Sequence, residues 1–143
     1  MEPSPQILLV NRSIIVDNDR MLLLQRSLQD RHNPGLWEFP GGKIDPDEDM
    51  ETGSKREILE ETGLVIESTS ELSYVDTMMI SSGRYEGRLY VALFRTAVLL
   101  SGDVVISDED GSYSWDTLEE AVRRDLSPES RRAVEAFRRS KLL

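Results

Sequence analysis

The sequence predicts an α/β fold, of the α+β kind, with helices covering a mixed sheet in a single domain over residues 1–143. Three observations carry this. β-Branched and leucine-rich stretches recur along the chain, and two local helix-start signals stand near its end. The 143 residues, 38% hydrophobic and 31% charged, have the size and balance of one globular domain.

The elements follow in order. Residues 6–16 and 20–25 flank Asp17-Asn18-Asp19, whose short polar side chains favour a turn, so the pair predicts a hairpin. Residues 31–42 are loop-like, broken by Pro34-Gly35 and Pro40-Gly41-Gly42. A helix then runs to Thr62, with Gly63 placed to end it. Its start is either Asp45, followed by Pro46 at the first helical position, or Asp49. Strand-like stretches follow at about 64–67, 72–80 and 88–99, the last two separated by turn residues around Gly83 and Gly87. Thr117-Leu118-Glu119-Glu120 is a capping box, and Ser127-Pro128-Glu129 is a second helix start.

Charge and composition exclude several classes. Seventeen Lys and Arg against 27 Asp and Glu leave a net charge of −10, which argues against stable nucleic-acid binding. A phosphate ligand remains compatible if cations accompany it. The absence of cysteine removes disulfides, thiolate metal sites and a Cys nucleophile. The first six residues contain no basic segment, and no apolar run approaches the ~20 residues of a membrane span. A cytoplasmic protein without membrane association is therefore expected. An apolar face of the last helix (Ala133, Val134, Phe137) leaves monomer and homodimer both open.

The stretch that carries chemistry is Arg56-Glu57-Ile58-Leu59-Glu60-Glu61. On a helix, Glu57, Glu60 and Glu61 stand at i, i+3 and i+4 and share one face. Crowded carboxylates repel one another unless a cation resides among them, and hard oxygen donors without Cys select Mg²⁺, with Mn²⁺ as an alternative. The plain alternative is a solvated acidic helix face. An EF-hand fails, because Met50 and Arg56 stand where Gly and Glu are required. A P-loop fails too, because Lys43 is followed by Ile44.

The wider spacing decides between these readings. Gly42 is followed after five residues by Glu48, and after seven more by Arg56-Glu57-Ile58-Leu59-Glu60-Glu61-Thr62-Gly63-Leu64. Residues 42–64 thus match the Nudix box at every fixed position, which chance gives on the order of 10⁻⁹ per start site. Trp37 to Lys43 is similar to the loop preceding the box in MutT-like members. The sequence therefore resembles a Nudix hydrolase of the nucleoside triphosphate pyrophosphohydrolase type.

That resemblance implies an αβα sandwich around a mixed sheet and Mg²⁺-dependent hydrolysis of a nucleoside diphosphate linked to another group. It implies metal ligation by Glu60, Glu61 and the Gly41 carbonyl, with Glu109 as an additional ligand and Glu57 also touching metal. Glu57 is the implied base, but members differ in which glutamate takes the proton, so Glu60 stays open beside it. Arg56 and Glu48 would pair to brace the loop of Gly42 against the helix. Contacts to substrate are implied for Arg26, His32, Glu38, Phe39 and Gly41; independently of the family, the remaining phosphate charge calls for a cation, with Lys43, Arg26 or Arg84 the candidates. Ser130 aligns where MutT-type enzymes place an Asn that reads oxidised guanine, and one hydroxyl cannot make an amide's paired contact. The expected substrate is a (d)NTP, ordinary or oxidised, cleaved to the monophosphate and pyrophosphate. The alternatives are another diphosphate, such as a dinucleoside polyphosphate or ADP-ribose, or a nucleotide-sensing module without turnover.

Overall fold

In a computed structural model the described residues, 7–141, build a seven-stranded mixed sheet with helices on both faces. Strand β1 (Ile7–Asp17) runs parallel to β6 (Leu89–Ser101) along its length, from Ile7↔Leu89 to Val16↔Val98. Its other edge is shared: β2 (Arg20–Arg26) pairs at Val16↔Met21, and the short β4 (Gly41–Lys43) pairs antiparallel at Arg12↔Gly41. β2 carries β3 (Trp37–Glu38) and β7 (Asp110–Asp116), while β5 (Val65–Met79) pairs antiparallel with β6 and ends the strand order.

Two cores explain why β1 and β2 read as unbroken apolar runs rather than alternating ones: both faces are covered. Ile15, Leu22 and Leu24 meet Ile58 of α1 (Met50–Thr62) on one face, with Leu64, Ile66 and Ala97. Ile14, Met21 and Leu23 point the other way. They meet Ala121 of α2 (Leu118–Val122) and Ala133 and Val134 of α3 (Pro128–Lys141). The αβα layering is as expected.

Local signals settle most boundaries. Asp49, not Asp45, caps α1, accepting from Thr52 N at 2.8 Å, while Glu48 Oε1 accepts from the Asp45 amide at 3.0 Å. Gly63 ends α1 with φ +76° and donates to Leu59 O at 2.9 Å, a conformation that favours glycine. The capping box of Thr117 and Glu120 forms as expected. Ser127 departs from expectation: its backbone carbonyl accepts from Arg131 N, but its buried hydroxyl has no partner among the described residues. The stretches at 64–67 and 72–80 are one strand, β5, with register shifts between Ser68 and Tyr74. The loop before the box holds β3 and β4, and β7 was not foreseen at all. Such short or polar strands form because a neighbour supplies the ladder, not because of their own propensity.

Candidate active site

Helix α1 turns Arg56 and its glutamates toward the end of β4. Arg56 is the hub: Nη2 and Nε donate to the two oxygens of Glu48 at 2.6 and 3.1 Å, and Nη1 reaches Glu57 at 3.1 Å and Glu60 at 3.3 Å. Hydrogen bonds from Arg56, and then from the Asp45 amide, hold the Glu48 carboxyl down to about 2. Gly53 makes room for this bracket, since a Cβ there would lie 2.8 Å from both Glu48 Oε1 and Ile44 Cδ1. The ~1 kcal/mol helix cost of that glycine is offset by the pairing it permits.

The glycine loop presses against the same acids. Gly41 N donates to Glu61 Oε1 at 3.3 Å, and a Cβ on Gly42 would meet Glu57 Oε2 at 2.6 Å. Glu61 is not on an exposed face. Burial, and then the charges of Asp110 and Glu38, raise its carboxyl to about 8 against the opposing pull of Arg12. Burial, followed by Glu38, raises Asp110 to about 6, and Asp110 Oδ2 is buried with no hydrogen-bond partner among the described residues. Two carboxyls pushed toward their neutral form, Glu61 and Asp110, one with an orphaned oxygen, beside Glu38 and the Gly41 backbone, form a donor set suited to a hard divalent cation. The set is not closed around a point. Among the described residues no three acidic side chains stand ready to hold a metal ion, because Glu57 and Glu60 are turned to Arg56. Glu60, 62% exposed, is free to swing.

From this cluster a cavity of about 510 Å³ extends past Arg12, Arg26 and Glu38 to Tyr90, Glu129 and the β5–β6 loop. Arg26 donates to Glu38 and Asp30, each at 2.7 Å, and His32 stands exposed at the rim. Lys43 is exposed beside the mouth, donating to Tyr85 OH at 3.1 Å with its Nζ 5.0 Å from the ring centre.

Two expectations fail for want of access. Phe39 is 0% exposed and packs edge-on against Phe94 and Phe137, so it offers no face to a base. Ser130 is also 0% exposed; its hydroxyl accepts from Phe39 N at 3.3 Å and holds the loop instead of a ligand. Its neighbour Glu129 lines the cavity. Glu109 is exposed, its backbone carbonyl accepting from Ser27 N, while Asp110 is the residue coupled to Glu61. Sequence reasoning passed over Asp110, Arg12, Tyr90 and Glu129. Only Arg12 had a signal, as a lone cation inside the apolar run of residues 7–16.

The family model described as NUDIX domain matches residues 8–137. The nucleoside triphosphatase NudI of Escherichia coli O81 (strain ED1a) is 31% identical over 126 residues, covering 84% of this chain and 89% of that protein. The crystal structure of a MutT protein from Methanosarcina mazei Go1 superposes with a TM-score of 0.80 at 28% identity, covering 94% of this chain and 95% of that one. The NUDIX domain of NrtR from Shewanella oneidensis, solved with ADP ribose, gives 0.69 at 25% identity over 95% and 88% of the two chains.

Proposed function

The chain belongs to the NUDIX domain family and is a hydrolase of that family, and from that premise we propose that it cleaves a nucleoside triphosphate to the monophosphate and pyrophosphate with Mg²⁺, or Mn²⁺ in its place. The observation that carries this is the set of wholly or partly buried acids Glu61, Asp110 and Glu38 beside a nucleotide-sized cavity with four guanidiniums in its wall, those of Arg12, Arg26, Arg84 and Arg132. The relatedness to a nucleoside triphosphatase supports the substrate class.

Glu57, Glu60, Glu61, the Gly41 carbonyl and either Asp110 or Glu109 would hold the cation. Bound there, it would neutralise phosphate charge and acidify water. Glu57 takes the proton of the attacking water, with Glu60 the alternative. Arg56 keeps Glu48 and the Gly42 loop against the helix, and it also hydrogen-bonds Glu57 and Glu60. Arg26 and Lys43 offset the remaining phosphate charge, and Glu38 orients Arg26. The net charge of −10 fits a substrate that arrives as its magnesium complex. Among the described residues no helix is long and apolar enough to cross a membrane.

The test is product analysis on a panel of ordinary and oxidised (d)NTPs, a dinucleoside tetraphosphate and ADP-ribose, the last because of the NrtR neighbour. Pyrophosphate from one or a few triphosphates is expected. Turnover of ADP-ribose alone overturns the substrate class, and metal binding without any turnover returns the chain to a sensing role.

The acid beside Glu61 can be separated from its exposed neighbour. Asp110→Asn is expected to lower kcat at least about tenfold more than Glu109→Gln, since only Asp110 is coupled to Glu61. A larger loss in Glu109→Gln would assign the additional ligand to Glu109.

A further inference from the structure

Arg12 has no part in the chemistry above, yet it joins the cavity to the glycine loop. Its side chain is 13% exposed. Nε donates to Glu129 Oε1 at 3.0 Å and Nη1 donates to Phe39 O at 3.3 Å, so one planar group holds α3 and the loop together. The backbone repeats the link: Arg12 pairs with Gly41 in the β1–β4 ladder, and Ser13 N donates to Pro40 O at 2.8 Å. Gly41 in turn donates to Glu61. Burial alone would lower the Arg12 guanidinium, but the facing charges of Glu38 and Glu129 raise it instead, so it stays cationic.

At the other end, Glu129 shares Oε1 between Arg12 and the Tyr90 hydroxyl, which donates at 3.1 Å. Burial raises Tyr90 above the ordinary tyrosine range, so it remains a donor. Glu129 Oε2 has no hydrogen-bond partner among the described residues and is not sealed from solvent, and Glu129 lines the cavity. A lone carboxylate oxygen in a cavity wall accepts an N–H. Each nucleobase carries one; the ribose hydroxyls are the other donors a nucleotide offers, and a base-free substrate separates the two.

We propose that Arg12 is a positioning residue that couples a base docked on Glu129 to the Phe39–Gly41 backbone, so that the base raises turnover and not affinity alone. The proposal rests on the nucleotide reading of the cavity. A base that engages Oε2 fixes Glu129. Through the fork of Arg12 that constraint reaches the Phe39 carbonyl, two residues from Gly41. Binding energy from a remote part of the substrate is thus used at the reacting end. A purely structural Arg12 would affect all substrates alike.

The test compares kcat for the best-hydrolysed nucleoside triphosphate with kcat for ribose 5-triphosphate, which lacks the base. Wild type is expected to favour the nucleotide, and Arg12→Lys, which keeps the charge and loses the fork, to lower that kcat ratio at least about tenfold. Glu129→Gln keeps an acceptor for Arg12 and can replace Oε2 by an NH₂ that cannot accept, so it should lower the ratio without disturbing the fork. Thermal melting confirms that each variant is folded. Equal losses on both substrates, or a change confined to KM, overturn the proposal.

A second readout does not need turnover. In wild type the Gly41 and Gly42 amide resonances should shift when the nucleoside monophosphate is added, and not with ribose 5-phosphate. Arg12→Lys should bind the monophosphate without those shifts. If wild type hydrolyses no triphosphate, the nucleotide-hydrolysis reading fails, and these shifts decide the coupling separately: Arg12-dependent shifts support it, and their absence in wild type overturns it.

Discussion

Glu61→Gln is expected to lower kcat by about 10³-fold or more while leaving the fold intact. Glu61 sits where burial and the charges of Asp110 and Glu38 favour the neutral acid, with its carboxyl raised to about 8. Gln has the shape of that neutral acid and can still accept from Gly41 N, so the metal-free variant should melt close to wild type below about pH 4, where the wild-type acid is neutral folded and unfolded, and above wild type at neutral pH. It cannot supply the anionic oxygen a cation requires. Mg²⁺ should therefore raise the melting temperature of wild type through mass action and have much less effect on the variant. A variant retaining more than about a tenth of the rate, a loss under ~1.4 kcal/mol, would take Glu61 out of the proposed ligand set.

The same residue makes a pH prediction. A carboxyl raised from about 4.3 in the unfolded chain to about 8 in the fold binds a proton in the native state across that interval. Its contribution is fully present below the unfolded value and is lost as pH rises through the folded one. Melting of the metal-free wild type should thus decline between about pH 4 and pH 8 more steeply than melting of Glu61→Gln. Parallel profiles would mean that Glu61 titrates normally in the folded chain.

Gly41→Ala should be the most damaging single methyl group in the loop. Gly41 has φ +149°, and a Cβ on it would lie 2.0 Å from Asn11 O and 2.9 Å from the Cα of Arg12. Both obstacles are backbone atoms of β1, a central strand, and neither can rotate aside. β4 must leave β1, which breaks the Arg12↔Gly41 pairing and withdraws the Gly41 amide from Glu61. Overpacking and backbone strain together should cost about 3 kcal/mol or more and lower Tm by roughly 10 °C, with activity lost. Gly83→Ala is the control: it too has positive φ, +86°, but nothing lies within 4 Å of its Cβ, so only about 1–2 kcal/mol of local strain is expected. Equal melting temperatures for the two variants would show that β4 does not depend on this close approach.

The contrast between the two glycines reflects what a sequence can reveal. Gly63 could be read as a helix end because the reason lies within α1 itself, in the αL turn and the bond to Leu59 O. The reason for Gly41 lies thirty residues away, in Asn11. The acids of α1 were legible for the same local reason as Gly63, since helical periodicity alone puts Glu57, Glu60 and Glu61 together. The contacts around them were only half legible: the Arg56–Glu48 pair was implied by the family resemblance of residues 42–64, whereas the Gly41–Glu61 hydrogen bond depends on how β4 is held. Phe39 and Ser130 were placed at the ligand by the family resemblance, and both are buried because α3, which carries Ser130, closes over the loop that carries Phe39.

By itself the sequence determined the layered α/β architecture, the N-cap of α2, the end of α1 and the acidic face of that helix. Each of these is written in residues within a few turns of one another, or in the apolar runs of strands covered on both sides. Only the tertiary structure decided that Asp110 of β7 faces Glu61, and that Arg12 of β1, Tyr90 of β6 and Glu129 of α3 meet in one cavity wall. Arg12 and Glu129 are 117 residues apart, and no periodicity spans that interval. They meet because β1 and β6 pair in parallel at the centre of the sheet and α3 packs across them, so the polar side chains left among apolar neighbours must satisfy one another.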